Sequence, residues 1–146
     1  MKFFEYLYYR MYAAYTKKND SPVMRTFMYV SLVIYLILAV LIIYLDQILT
    51  VCNVLSEETS KEIRRSKVFW GVYILFTLLF TYFRFTRKDF SYYEKKYSKC
   101  YSLNKSVKIW MLVAFPFLFF FLSIFLMAPL FGGTILGKEF TGILKH

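Results

Sequence analysis

Histidine is all but missing from this 146-residue chain; the one copy is His146. So little imidazole gives no basis for a Ser/His or Cys/His nucleophile pair, or for a His-ligated catalytic metal. Cysteine is scarce too. Cys52 and Cys100 fall in loops expected on opposite sides of a membrane, so they cannot pair within one molecule. Neither has His or Asp neighbours at metal-ligand spacing, and both read as free, inert thiols. No CxxC, HExxH or phosphate-cradling glycine loop occurs. Asp, Glu, His, Lys and Arg are absent from the three long apolar runs. That argues against a pump, an ion-coupled transporter or an intramembrane protease, which need ionisable groups inside a span. The adjacent acids Glu57 and Glu58 sit in a mixed-charge loop and read as a solvated helix start. The residues thus assign no catalytic, cofactor-binding or metal-binding position, and a lipid-modifying enzyme is the weakest reading.

Apolar and aromatic residues dominate instead, at 59% and 23% of the chain, where a soluble domain is about half apolar. The run Phe27 to Leu45 carries no charge, and at about 1.5 Å per residue it reaches roughly the depth of a bilayer's hydrocarbon core. In lipid its amides can be satisfied only within the segment, so it must be helical despite its Val and Ile content. Val68 to Phe83 and Ile109 to Phe131 repeat the pattern. The expected fold is all-α and membrane-embedded: a single membrane domain, 1–146, with three transmembrane helices at 22–48, 66–84 and 109–131. Pro116 lies inside the third span and removes a backbone donor, which makes it a candidate helix kink. Pro129 with Gly132 and Gly133 ends that span, and 132–146 forms a tail. The first apolar run comes too late and is too long for a cleavable signal peptide, so retention in the membrane is expected.

Between the spans the periodicity changes. Over 1–20, Phe3, Phe4, Leu7, Tyr8, Met11, Tyr12 and Tyr15 recur at spacings of three and four, while Lys2, Glu5, Arg10 and Lys17 fall largely off that stripe. This predicts an N-terminal amphipathic helix suited to the membrane interface, with packing on the chain's own loops as the compatible alternative. Asn19, Asp20, Ser21 and Pro22 break it and start the first span. Between the first two spans a helix opening near Thr59 is expected, with Thr59 and Glu62 at capping-box spacing. The segment 86–108 has Phe90, Tyr93, Tyr97, Cys100 and Tyr101 on one stripe, predicting a second amphipathic interfacial helix in a basic loop.

The formal charge is +10, and its placement explains it. Lys and Arg cluster beside the spans, where they meet anionic headgroups and set orientation, so the bilayer and not nucleic acid is the expected partner of this charge. Residues 84–108 hold Arg84, Arg87, Lys88, Lys95, Lys96, Lys99, Lys105 and Lys108 against Asp89 and Glu94. The positive-inside rule then places the N-terminus and this loop in the cytoplasm and the C-terminus outside, although Arg64, Arg65 and Lys67 fall on the outer side. Candidate membrane-surface contacts are Tyr8, Arg10, Tyr12, Tyr15, Lys17, Arg84, Arg87, Lys88, Lys95 and Lys96.

The opening FEYLYYRMYAAYTKKNDSP carries a YxxYRxY pattern, Tyr6 to Tyr12, followed by a basic polar turn and a span. Over this first third the chain resembles a group of small bacterial polytopic membrane proteins with a Tyr-rich surface helix. That resemblance implies a bacterial inner membrane and no catalytic residue. Two functions fit. The first is a non-enzymatic protein that binds a membrane-protein or toxin partner through its helices, as a small accessory subunit or an immunity-type protein. The alternative is a self-assembling pore or holin-like permeabiliser, a homo-oligomer, for which Ser31, Thr77, Thr81 and Ser123 are a thin polar lining.

Overall fold

A computed structural model describes residues 2–17, 21–99, 101–135 and 137–144. Cys100, His146 and the expected break at Asn19 and Asp20 lie outside them. The described chain is all-α apart from one short hairpin. Its helices are α1 (Lys2–Thr16), α2 (Pro22–Val51), α3 (Glu57–Arg65), α4 (Lys67–Thr81), α5 (Phe90–Tyr97), α6 (Tyr101–Ser106) and α7 (Ile109–Phe131), with a π-helical turn at Tyr82–Thr86 after α4. Three stretches are long and apolar enough to cross a membrane: Pro22–Val51, Lys67–Thr86 and Ile109–Phe131. This is the makeup of a multi-pass membrane protein.

The boundaries have local causes. α2 runs past the expected 48 to Val51, where Asn53 turns into the left-handed region with φ 58°. The amides of Val54 and Leu55 then both bond back to the Leu49 carbonyl, closing the helix end. The cap of α3 corrects the expectation at Thr59. Ser56, one turn earlier, is the N-cap; its hydroxyl accepts from the Thr59 amide at 3.2 Å, placing Glu57 and Glu58 in the first turn where the helix dipole favours acids. Ser66 separates α3 from α4, and its hydroxyl accepts from the Phe69 amide at 3.2 Å. The basic segment departs from one continuous amphipathic helix, since α5 and α6 are separate. In the tail β1 (Gly133–Ile135) pairs antiparallel with β2 (Lys138–Phe140). Gly142 packs so closely on the Gly132 backbone that no side chain could stand there.

α7 is continuous through both of its prolines. A proline at 116 has no amide to give the Leu112 carbonyl, four residues back. Tyr29 of α2 supplies the missing donor, its hydroxyl reaching the Leu112 oxygen at 2.7 Å. Tyr29→Phe should therefore cost about 1 kcal/mol of stability, read by unfolding in mixed micelles, and the cost should vanish in a Pro116→Ala background where residue 116 donates for itself. An equal penalty in both backgrounds would show that the proline is unrelated to this bond.

The chain divides into two compact units, residues 1–35 with 73–115 and residues 36–72 with 116–146. The first has its core at Leu7, Tyr8, Met11, Val30, Val33, Thr77, Thr81, Phe85 and Tyr93. In it Tyr73 donates from α4 to the Tyr35 carbonyl of α2 at 2.8 Å. The second buries Ala39, Val40, Ala128 and Phe131, with Tyr44 of α2 donating to the Ser123 carbonyl of α7 at 2.7 Å.

Candidate functional site

Glu5 is the polar centre of the first unit. It lies on α1, which packs against α5, and is only 4% exposed. Burying a carboxylate is costly unless it is paired and hydrogen-bonded. Glu5 meets both conditions. Its Oε1 accepts from Arg84 Nη2 at 2.8 Å, and its Oε2 accepts from Lys96 Nζ at 2.5 Å and the Tyr97 hydroxyl at 3.1 Å. Burial works to raise the Glu5 pKa, but the bonds from Lys96 and Tyr97 and the charges of Lys96 and Arg84 outweigh it, holding the carboxyl below its ordinary value. The bond to Glu5 pushes Lys96 up to about 12. Arg84 reaches this site from the π turn, a local widening of the helix that often marks functional positions.

A second set of bonds continues along α1. Arg10 donates from Nη1 to the Asn104 carbonyl at 2.7 Å and to its Oδ1 at 3.0 Å, and from Nη2 to the Val107 carbonyl at 2.7 Å. Tyr6 donates to Asn104 Oδ1, and Asn104 Nδ2 donates to the Tyr97 carbonyl, both at 3.1 Å. The planar guanidinium fork suits such fixed carbonyl acceptors in a way a lysine would not. Around these bonds the rings pack: Tyr12 stacks on Phe90 at 4.1 Å, Tyr8 on Phe85 at 6.0 Å, and Tyr8 meets Tyr93 at 5.1 Å. Burial raises the phenols of Tyr8 and Tyr93, the latter to about 12.

Comparison with protein families, curated proteins and solved structures finds no match.

The geometry therefore has to speak for the site, and it sorts the candidate surface residues into two groups. Tyr8 is 3% exposed and belongs to the interior. Arg10, Arg84 and Lys96 bond within the chain, and Tyr12 is held by its stack on Phe90. Tyr15 is half-buried. Lys17 lines a small pocket with Arg10, Ala13 and Asn104. Arg87 and Lys95 are exposed, with Arg87 over the Phe83 ring at 5.8 Å, and Lys88 lies over the Tyr92 ring at 4.3 Å. Pro116 is fully buried in α7.

Sequence reasoning missed Glu5, Tyr97 and Asn104. The available signal was a lone acid of α1 one turn before Tyr8 on the buried stripe, in a chain whose basic loop needs a counter-charge. The second unit has a polar cluster of its own. Asp46 accepts from the Ser60 hydroxyl at 2.8 Å and lies 3.5 Å from Arg64 Nε. Beside it a cleft of about 820 Å³ opens between Gln47, Asn53, Ser56, Lys61, Arg64 and Phe131.

Between α2 and α4 of the first unit lies a groove of about 320 Å³, lined by Met28, Ser31, Leu32, Tyr35, Ile74 and Thr77. Its rim is apolar and its floor is made by two small hydroxyl residues. Thr77 bonds to the Tyr73 carbonyl at 2.9 Å. Ser31 Oγ is buried without a partner, as are Thr26 Oγ1 and Thr86 Oγ1.

Proposed function

We propose that this chain is a non-enzymatic, multi-pass protein of a bacterial inner membrane, one of the small polytopic proteins its Tyr-rich opening resembles. It acts by binding a membrane-protein or toxin partner through its helices, as an accessory subunit or an immunity-type protein. One observation carries this reading: the three long helices keep large apolar side chains outward along their length. Leu32 and Leu41 of α2, Leu75 and Phe76 of α4, and Leu118 and Leu122 of α7 are all exposed. The charged groups at Glu5 and Asp46 are meanwhile paired within the chain. What remains for recognition is helix surface, which in lipid selects partners by close packing and isolated polar contacts. α1, clamped on the basic loop, lies at the anionic cytoplasmic interface with Arg87, Lys88 and Lys95 facing headgroups, and the C-terminus is outside.

The test has two arms. Extraction from native membranes in mild detergent should bring down a reproducible membrane-protein partner at fixed stoichiometry. Vesicles reconstituted with the purified chain should retain a trapped dye as well as empty vesicles do. Rapid dye release with no co-purifying partner would replace this reading with the self-assembling pore.

A further inference from the structure

We infer that the pocket between α1 and the start of α7 is a seat for an acidic phospholipid, in which Arg10 and Lys17 bind the headgroup phosphate. This rests on the membrane placement of α1 proposed above and gives one lipid a defined position.

The argument starts from the company each cation of the first unit keeps. Arg84 and Lys96 meet the Glu5 carboxylate. Arg10 meets only neutral oxygens, the carbonyls of Asn104 and Val107 and the Asn104 side-chain amide. Those three bonds fix the plane of the guanidinium and leave its charge uncancelled, with no carboxylate beside it among the described residues. They occupy Nη1 and one hydrogen of Nη2; Nε and the other Nη2 hydrogen take no described acceptor, which leaves two N–H groups for a ligand with paired oxygens. Arg10 is only half-buried, and its Nε keeps accessible surface, unlike the closed-off hydroxyls of Thr26, Ser31 and Thr86.

The space beside it is about 300 Å³, and no acid lines it. Lys17, exposed and without an acid partner among the described residues, stands on the same wall. Ala13 and Ala14, the smallest side chains of α1, open the room. The Tyr9 ring is held at its edge by the rings of Phe90 at 5.8 Å and Tyr97 at 6.1 Å. Ile109 closes the far side and begins a 23-residue helix with no acid in its first turn, so the helix dipole adds positive potential there. Ile109 is 41% exposed and leads into an apolar span. A phosphate anchored at Arg10 therefore has acyl chains' natural path, along α7, directly beside it. A choline or ethanolamine headgroup would bring a third cation into a pocket that already holds two. Phosphatidylglycerol carries the same phosphate on an uncharged alcohol and fits.

The full chain with Trp70→Phe keeps a single tryptophan, Trp110, one residue beyond the pocket and 65% exposed. It is reconstituted in phosphatidylcholine vesicles containing small fractions of phosphatidylglycerol or phosphatidylcholine that bears a nitroxide high on one acyl chain. Trp110 quenching should show phosphatidylglycerol preferred about tenfold. Lys17→Gln should cut that preference about fivefold, the worth of one cation at a headgroup. Ala13→Phe, which fills the pocket without touching the bonds of Arg10, should abolish it, with helicity unchanged in both variants. Inorganic phosphate at millimolar concentration should leave the preference as it was; its collapse would overturn the lipid as the source of the phosphate. A preference that survives both substitutions overturns the pocket while leaving the membrane placement intact. If neither labelled lipid quenches Trp110, both fall.

Discussion

Glu5→Ala is expected to lower the unfolding free energy by about 2–3 kcal/mol and to expose α1 to protease. Removing one member of a buried ion pair costs about 3–5 kcal/mol, because the surviving charge stays desolvated. The figure is reduced here because Arg84 and Lys96 are each about a third exposed and can turn to water. Glu5→Gln should fall between, keeping an acceptor for Tyr97 without the charge. The clamp also predicts a pH profile. Glu5 titrates below its ordinary 4.5 in the folded chain, so its contribution is present above that value and is lost as acid protonates it. Lys96 titrates above its ordinary 10.5, so its contribution is full below 10.5 and fades as the pH rises toward about 12. Protease release of α1 should therefore be minimal between those limits and rise on both sides. A flat profile, or an alanine variant as resistant as the parent, would mean that α1 is held by its rings alone.

The rings carry the second large expectation. Tyr93 is 0% exposed, packs against Tyr8, and donates its hydroxyl to the Phe85 carbonyl of the π turn at 3.2 Å. Tyr93→Ala should cost about 3–5 kcal/mol, the range for emptying a buried aromatic site. Tyr93→Phe should cost about 1 kcal/mol, the worth of the single hydrogen bond. Unfolding in mixed micelles reads both. If the phenylalanine variant lost as much as the alanine one, the hydroxyl and not the ring volume would be holding α5 to α1.

The long helices were legible in the sequence because an uncharged run of bilayer length has one physical solution. The third span matches α7 residue for residue. The clamp was not legible. Glu5 meets partners 79 to 92 residues away in sequence, and nothing in a helical stripe says which distant cation will arrive. Tyr8 shows the same limit, since a tyrosine on an apolar stripe suits an interface and a protein interior equally well. The misplaced cap of α3 has a more local origin. Thr59 and Glu62 satisfy a common spacing, but Ser56 follows the left-handed Asn53 with extended backbone and so takes the role first. Pro116 is a candidate kink from sequence; what a residue pattern does not show is that the Leu112 carbonyl it leaves free takes the Tyr29 hydroxyl.

The π turn at Tyr82–Thr86 amounts to one surplus residue threaded into a helix, and each helical residue advances the azimuth by about 100°. Whatever follows such an insertion is dialled round relative to whatever precedes it. Evolution could thus re-aim the cationic hook at Arg84 by adding or dropping a single codon, leaving the greasy rod behind it untouched.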